Sequence, residues 1–261
     1  MIQTKNIQVL PGCLPIITGP EKAENAVLLI HGYTGNPAEM AFCAETLAAN
    51  GLRAAAPRLP GHGTNRRDFR NSGPRDWLRR VVDSYLELQA VHRRVHLVGH
   101  SMGTLLAVLC AARYTPASLS LLAPAFVLRD WRFKLAPLLG LVLPVIQTGQ
   151  PPEEEDSSGE RLILHREYRS DLLAAQAGKL ELLRQKAVAA LPRVQAPVLV
   201  LTADGDQAVD SAKAVAVLHH RAVAVPKIIH EEVSNATHSF PFAPEQRQDC
   251  AQRVLAWILN N

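Results

Sequence analysis

At 261 residues, 48% of them hydrophobic, the chain is long enough to bury one sizeable core, and its composition excludes a disordered protein. The formal charge of +4 comes without a dense Lys/Arg run interleaved with aromatics, which excludes nucleic acid as the expected partner. Four scattered cysteines, Cys13, Cys43, Cys110 and Cys250, form no C-x-x-C pair and exclude a disulfide framework or a zinc site.

The N-terminus is polar (Gln3, Thr4, Lys5, Asn6) and has no apolar signal core, so a cytoplasmic location is expected. Ala26–Ile30 reads as a buried strand. Pro37–Asn50 reads as a helix, stopped by Gly51 at the C′ position. Leu52–Ala56 is the next strand, ended by Pro57. Asp76–Val91 carries Leu78, Val81, Val82, Tyr85 and Leu88 at helical spacing. Val95–Val98 is an apolar strand followed by an Ala- and Leu-rich helix, Thr104–Arg113, and Leu119–Ala123 is a further strand. Strand–helix alternation of this kind predicts an α/β protein with a mainly parallel sheet covered on both faces.

After Pro124 the rhythm changes. A basic-aromatic patch (Arg129, Trp131, Arg132, Lys134) precedes an apolar run, Leu135–Ile146. An acidic run, Glu153–Asp156, and an amphipathic stretch follow. The apolar run is broken by Pro137, Gly140 and Pro144 and is too short to span a bilayer, which takes about 20 residues. Alternation resumes with a strand at Val198–Leu201, another at Ile228–Val233, and a terminal helix over Pro244–Leu259. The expected organisation is one core domain, residues 1–124 and 192–261, with a cap inserted over 125–191.

Between the strand Val95–Val98 and its helix lies Gly99-His100-Ser101-Met102-Gly103, a G-x-S-x-G sequence. A serine at a sharp strand-to-helix turn is pushed out of the sheet edge. Glycines flank it where a side chain would strike backbone, and the helix N-terminus offers free N–H groups to a developing oxyanion. A serine nucleophile needs a histidine base, and the base needs an acid. In this architecture the chain order is Ser, acid, His. That order removes His31, His62, His92, His96 and His100. His165 lies in the expected cap, His219 and His220 in a helix or its exit, and His230 inside a strand. His238 follows the last strand in a polar loop, where ligands gather in open α/β sheets, and is the expected base. For the acid, the loop after Val198–Leu201 offers Asp204, Asp206 and Asp210. Asp206, just past the Asp204-Gly205 turn, is favoured, Asp204 is second, and Asp210 is expected to cap the following helix. The oxyanion donors are expected to be the backbone N–H groups of Met102 and of Tyr33, the latter in His31-Gly32-Tyr33-Thr34-Gly35. His62, in Pro60-Gly61-His62-Gly63, is expected to shape the pocket floor.

These motifs run in one order over nearly the whole chain and resemble the α/β-hydrolase superfamily, in its carboxylesterase and monoacylglycerol-lipase branch. The resemblance implies an eight-stranded, mostly parallel sheet and a cofactor-free, metal-free triad of Ser101, Asp206 and His238, with oxyanion donors on Tyr33 and Met102. Two positions depart from the family pattern: Thr237 stands where glycine often precedes the histidine, and Asp210 where proline often follows the valine. The expected reaction is hydrolysis of a short- to medium-chain acyl ester, including monoacylglycerols, through an acyl-enzyme. Cap residues Leu138, Leu139, Val142 and Ile146 are expected to line an acyl tunnel or touch a lipid interface transiently, without stable membrane insertion, and the basic residues before them to meet anionic headgroups. Amide or C–C bond hydrolysis, acyl transfer and a non-catalytic binding role are the alternatives on the same fold.

Overall fold

The computed structural model describes residues 7–146, 159–171 and 173–261; the acidic run Glu153–Asp156 lies outside them. Seven strands form one sheet: β1 (Ile16–Thr18), β2 (Asn25–Ile30), β3 (Arg53–Ala56), β4 (Arg94–His100), β5 (Leu119–Leu122), β6 (Val198–Ala203) and β7 (Ile228–Val233). Their spatial order is β1-β3-β2-β4-β5-β6-β7. β1 runs antiparallel to β3, and every other pairing is parallel. The eight strands implied by the resemblance become seven among the described residues. Pro11 and Pro15 withhold ladder donors, and a 3₁₀ turn occupies Pro11–Cys13, so only three residues pair before Gly19-Pro20 ends the strand.

Strand side chains alternate between two cores because the strand period is two. On β2, Ala26, Leu28 and Ile30 join one apolar cluster, while Val27 and Leu29 join the other. The first cluster is closed by α3 (Pro74–Gln89), α4 (Met102–Ala111), α7 (Ala174–Ala190) and α8 (Ser211–Arg221). The second is closed by α1 (Ala41–Ala49) and α9 (Arg247–Leu259). Each fully buried aliphatic side chain here contributes about 1.5–3 kcal/mol. The helix expected over Pro37–Asn50 divides into a 3₁₀ turn, Pro37–Met40, and α1, and Gly51 takes the left-handed φ of +83° just after it. α9 begins at Arg247, with turns over the residues before it.

α2 (Arg66–Asn71) lies in the β3–α3 connection, and α5 (Arg132–Val142) and α6 (Gly159–Tyr168) lie between β5 and α7. α5 and α7 meet at two glycines: a Cβ on Gly140 would stand 2.7 Å from Ala175 Cα, and one on Gly178 would stand 2.9 Å from Ala136 O. α7 is tied to the core in turn, with Lys179 Nζ donating to Arg70 O and Ser72 O and the Gln176 side chain donating to Phe69 O. α6 is held at its C-terminal end. Arg66 donates to the carbonyls of Arg166 and Glu167, and Tyr168 Oη accepts from Thr64 N–H and donates to Gly61 O. Among the described residues no helix is long and apolar enough to cross a membrane.

Candidate active site

The strand order reverses between β3 and β4, on either side of β2, and loops leaving the carboxyl ends of the strands at such a point face one crevice. Ile30 at the end of β2 is in register with Gly99 on β4, so the loop His31–Gly35 and the turn at Ser101 lie side by side.

Ser101 adopts φ +52° and ψ −115°, a backbone state costly for a non-glycine residue, held between β4 and α4. Ser101 N–H donates to Leu122 O, and Ser101 O accepts from both Thr104 N–H and Thr104 Oγ1. The flanking glycines are sterically required. A Cβ on Gly103 would stand 2.1 Å from Ile30 O, and one on Gly99 would stand 2.5 Å from Gly103 O.

His238 follows β7, and its Nε2 stands 2.9 Å from Ser101 Oγ. Its Nδ1 stands 2.7 Å from Asp206 Oδ2. Asp206 is 1% exposed, and its other oxygen accepts from Ala208 N–H and Val209 N–H at 2.8 Å each. Burial works to raise its carboxyl pKa. The His238 contact and the two amides outweigh burial, and the group lies below the ordinary carboxylate value. With Nδ1 donating to the carboxylate, Nε2 is left to accept the serine proton.

The three acids of this loop have separate partners. Asp204 Oδ2 and Oδ1 accept from Asn235 N–H and Ala236 N–H, pinning the loop that carries His238. Asp210 caps α8 by accepting from Lys213 N–H. Only Asp206 of the three reaches the imidazole. Arg129, read from sequence as part of a basic patch, is exposed and donates through Nε to Asp206 O and Val209 O. These bonds tie Arg129 to the loop that carries Asp206. Arg132 of the same patch pairs with Asp130.

Tyr33 belongs to the loop beside the Ser101 turn, and Met102 directly follows Ser101. Met102 opens α4, so its N–H has no preceding turn to bond. The Gly32 carbonyl, on the same peptide unit as Tyr33 N–H, is held by His31 Nδ1 at 3.0 Å and by Gly35 N–H at 3.3 Å. A trans peptide carries its C=O and N–H in opposite directions, so fixing one aims the other. His31 Nε2 accepts from Leu59 N–H, which assigns the proton to Nδ1, and burial lowers the His31 pKa in keeping with that neutral ring. His62 is buried edge-on to His31, Phe69 and Trp77, and burial drives its pKa well down. It packs in the core and does not line the cavity beside the site.

A cavity of about 950 Å³ opens beside the site. Thr34 and Gly35, Thr237 and Ser239 on either side of His238, Leu164 of α6 and Arg169 just after it line it. Leu138, Leu139, Val142 and Ile146 do not. Leu138 is 71% and Val142 79% exposed, because α5 turns its Gly140 side to α7 and its leucine-rich side outward. Among the described residues, no three His, Cys, Asp or Glu side chains converge as metal ligands would. Sequence reasoning missed Glu39, Arg66, Arg129 and Tyr168; their contacts span long chain separations and leave no local pattern.

A model of the alpha/beta hydrolase family matches residues 27–253. A thermostable monoacylglycerol lipase of Bacillus sp. (strain H-257) is 36% identical over 105 residues, 38% of this chain and 42% of that protein. A carboxylesterase of Bacillus subtilis (strain 168) is 35% identical over 81 residues, 31% of this chain and 33% of that one. The aligned stretches thus span less than half the length of either relative. Among solved structures, one described with LipS and LipT, two metagenome-derived lipolytic enzymes, superposes with a TM-score of 0.83 at 23% identity, covering 97% of this chain and 100% of that one. A family match over most of the chain, on a sheet of this order and a serine elbow of this geometry, shows that the protein belongs to the alpha/beta hydrolase family.

Proposed function

We propose that the protein is a serine hydrolase of carboxylic esters, and that Ser101, His238 and Asp206 are its catalytic triad. The observation that carries the reading is the unbroken relay from Asp206 Oδ2 through His238 to Ser101 Oγ, at 2.7 and 2.9 Å. His238 Nε2 takes the serine proton as Oγ attacks the acyl carbonyl. The amides of Tyr33 and Met102 receive the oxyanion, each such donor supplying about 3–4 kcal/mol to the transition state. His238 then gives the proton to the departing alcohol. In the second half, water attacks the acyl-serine, His238 takes its proton, and the acid leaves as Ser101 is regenerated.

The proposed substrates are short- to medium-chain acyl esters, monoacylglycerols among them. Likeness to a monoacylglycerol lipase and a carboxylesterase supports this class. The outward apolar face of α5 supports transient contact with a lipid interface. Four free, buried cysteines fit a reducing compartment, the cytoplasm. A fluorophosphonate probe tests the nucleophile: labelling confined to Ser101 and abolished in Ser101→Ala is expected. A panel of esters, amides and thioesters of graded acyl length tests the bond and the chain preference. Turnover of amides alone, or no labelling of Ser101, would overturn the reading.

A further inference from the structure

Beneath the relay lies a second buried chain of polar groups. Glu39 follows the loop His31–Gly35 and is almost enclosed, its side chain 12% exposed. Glu39 Oε2 accepts from Gly32 N–H at 3.0 Å. The same oxygen stands 3.5 Å from His100 Nδ1, farther than a hydrogen bond, and His100 is 4% exposed. His100 Nε2 donates to the backbone carbonyl of His238 at 3.0 Å. With Nε2 committed as a donor, the ring turns its other nitrogen to a carboxylate. His100 Nδ1 has no closer partner.

The two glycines of His31-Gly-Tyr-Thr-Gly35 make room for this carboxylate. A Cβ on Gly35 would stand 2.0 Å from Glu39 Oε1, and one on Gly32 would stand 3.2 Å from His100 Nδ1. A carboxylate taken out of water costs several kcal/mol unless it is paired. Burial works to raise the Glu39 carboxyl, and nearby His100 with the Gly32 amide brings it down to about 2.

We propose that Glu39 and His100 are a positioning pair that joins the loop bearing the Tyr33 donor to the loop bearing His238. Neither touches the reacting atoms. Glu39 fixes the His31–Gly32 peptide by its N–H, while His31 and Gly35 fix the next peptide by its carbonyl. Through His100 the same carboxylate sets the backbone of the base. The distance between oxyanion donor and base therefore depends on one buried contact between residues 61 positions apart, an arrangement built into the ground state. The inference rests on the hydrolase reading for its catalytic consequence and on the fold alone for its structural one.

The test uses Glu39→Ala, Glu39→Gln, His100→Ala and the double alanine variant. Hydrogen exchange is followed in the segments 31–36 and 235–240, and kcat and KM are measured on a short ester. Exchange in His100→Ala is expected to rise several-fold in both segments and not elsewhere in the sheet. In Glu39→Ala, kcat is expected to fall at least ten-fold with KM within two-fold. Glu39→Gln is expected to recover part of it, because its amide oxygen still accepts from Gly32. The double variant is expected to be no worse than the poorer single variant. Additive losses, a loss residing in KM, or exchange raised in one segment only would overturn the pair. If Glu39→Ala does not fold, Glu39→Gln and His100→Ala carry the same comparison. A wild-type protein inert to every ester would overturn the hydrolase reading and leave the exchange result to judge the pair.

Discussion

The loops at the carboxyl edge of the sheet and the helices α5 and α6 beside them are built on different rules. At the sheet edge, backbone chiefly meets backbone: Gly103 abuts Ile30 O, Ser101 N–H bonds Leu122 O, and Gly205 N–H bonds Ala236 O of the neighbouring loop. α6 instead hangs on side chains, chiefly Arg66 and Tyr168, and α5 lies on α7 through paired glycines with its leucines outward. The difference separates two tasks. The groups proposed to share a transition state are held by a scaffold with little freedom, and α6, beside the cavity, is held chiefly by side-chain contacts.

Substitutions sharpen this contrast, and the sheet edge gives the largest effects. Ser101→Ala is expected to lower kcat about a million-fold with the fold intact, read by ester turnover beside a thermal melt. Asp206→Asn follows, with a loss of about ten-thousand-fold, because the amide no longer holds the tautomer that leaves Nε2 free to accept. Asp204→Asn is expected to lose far less, since its contacts are to backbone; equal losses from the two would erase the distinction between acid and staple.

Gly103→Ala tests the backbone packing itself. A methyl 2.1 Å from Ile30 O must displace β2 or α4, so a loss of about 3 kcal/mol or more in denaturant unfolding is expected. Acid titration addresses the buried pair. Glu39 is lower in the folded protein, about 2, than its ordinary value of 4.5, so its stabilising contribution is complete above pH 4.5 and is lost as pH falls through about 2. Glu39→Gln should therefore flatten the stability curve over that window, by at most about 3 kcal/mol. A curve of unchanged slope would deny the coupling.

The smallest expected effect is in the side-chain-held region. Arg66→Ala removes donors to Arg166 O, Glu167 O and Asp171 at a partly exposed site, at a cost of about 1–2 kcal/mol. Faster proteolysis or exchange in 159–171, with ester turnover little changed, is the expected signature. A loss of turnover equal to that of Asp206→Asn would show α6 to be as tightly coupled to the reaction as the sheet edge.

The G-x-S-x-G turn, the strand–helix alternation and the position of His238 were legible in the sequence because each is a local demand of the backbone. A strained serine needs small neighbours, a strand shows its period, and a polar loop after the last strand ends at the sheet edge. The strand count was less legible, since the N-terminal residues pair over only three positions. The facing of α5 was not legible at all. Its run of leucines reads as tunnel lining, as a lipid-contacting face or as packing onto the core domain, and with Gly140 against α7 the leucines face outward. Glu39 and Arg129 were hidden for a related reason. A charged residue in a helical or basic stretch resembles a solvated one until the partner it meets, 61 residues away at His100 and 77 away at Asp206, folds against it. Local backbone geometry determined where the proposed triad sits. Contacts between distant segments, which depend on the packing of the whole chain, decided what holds it in place.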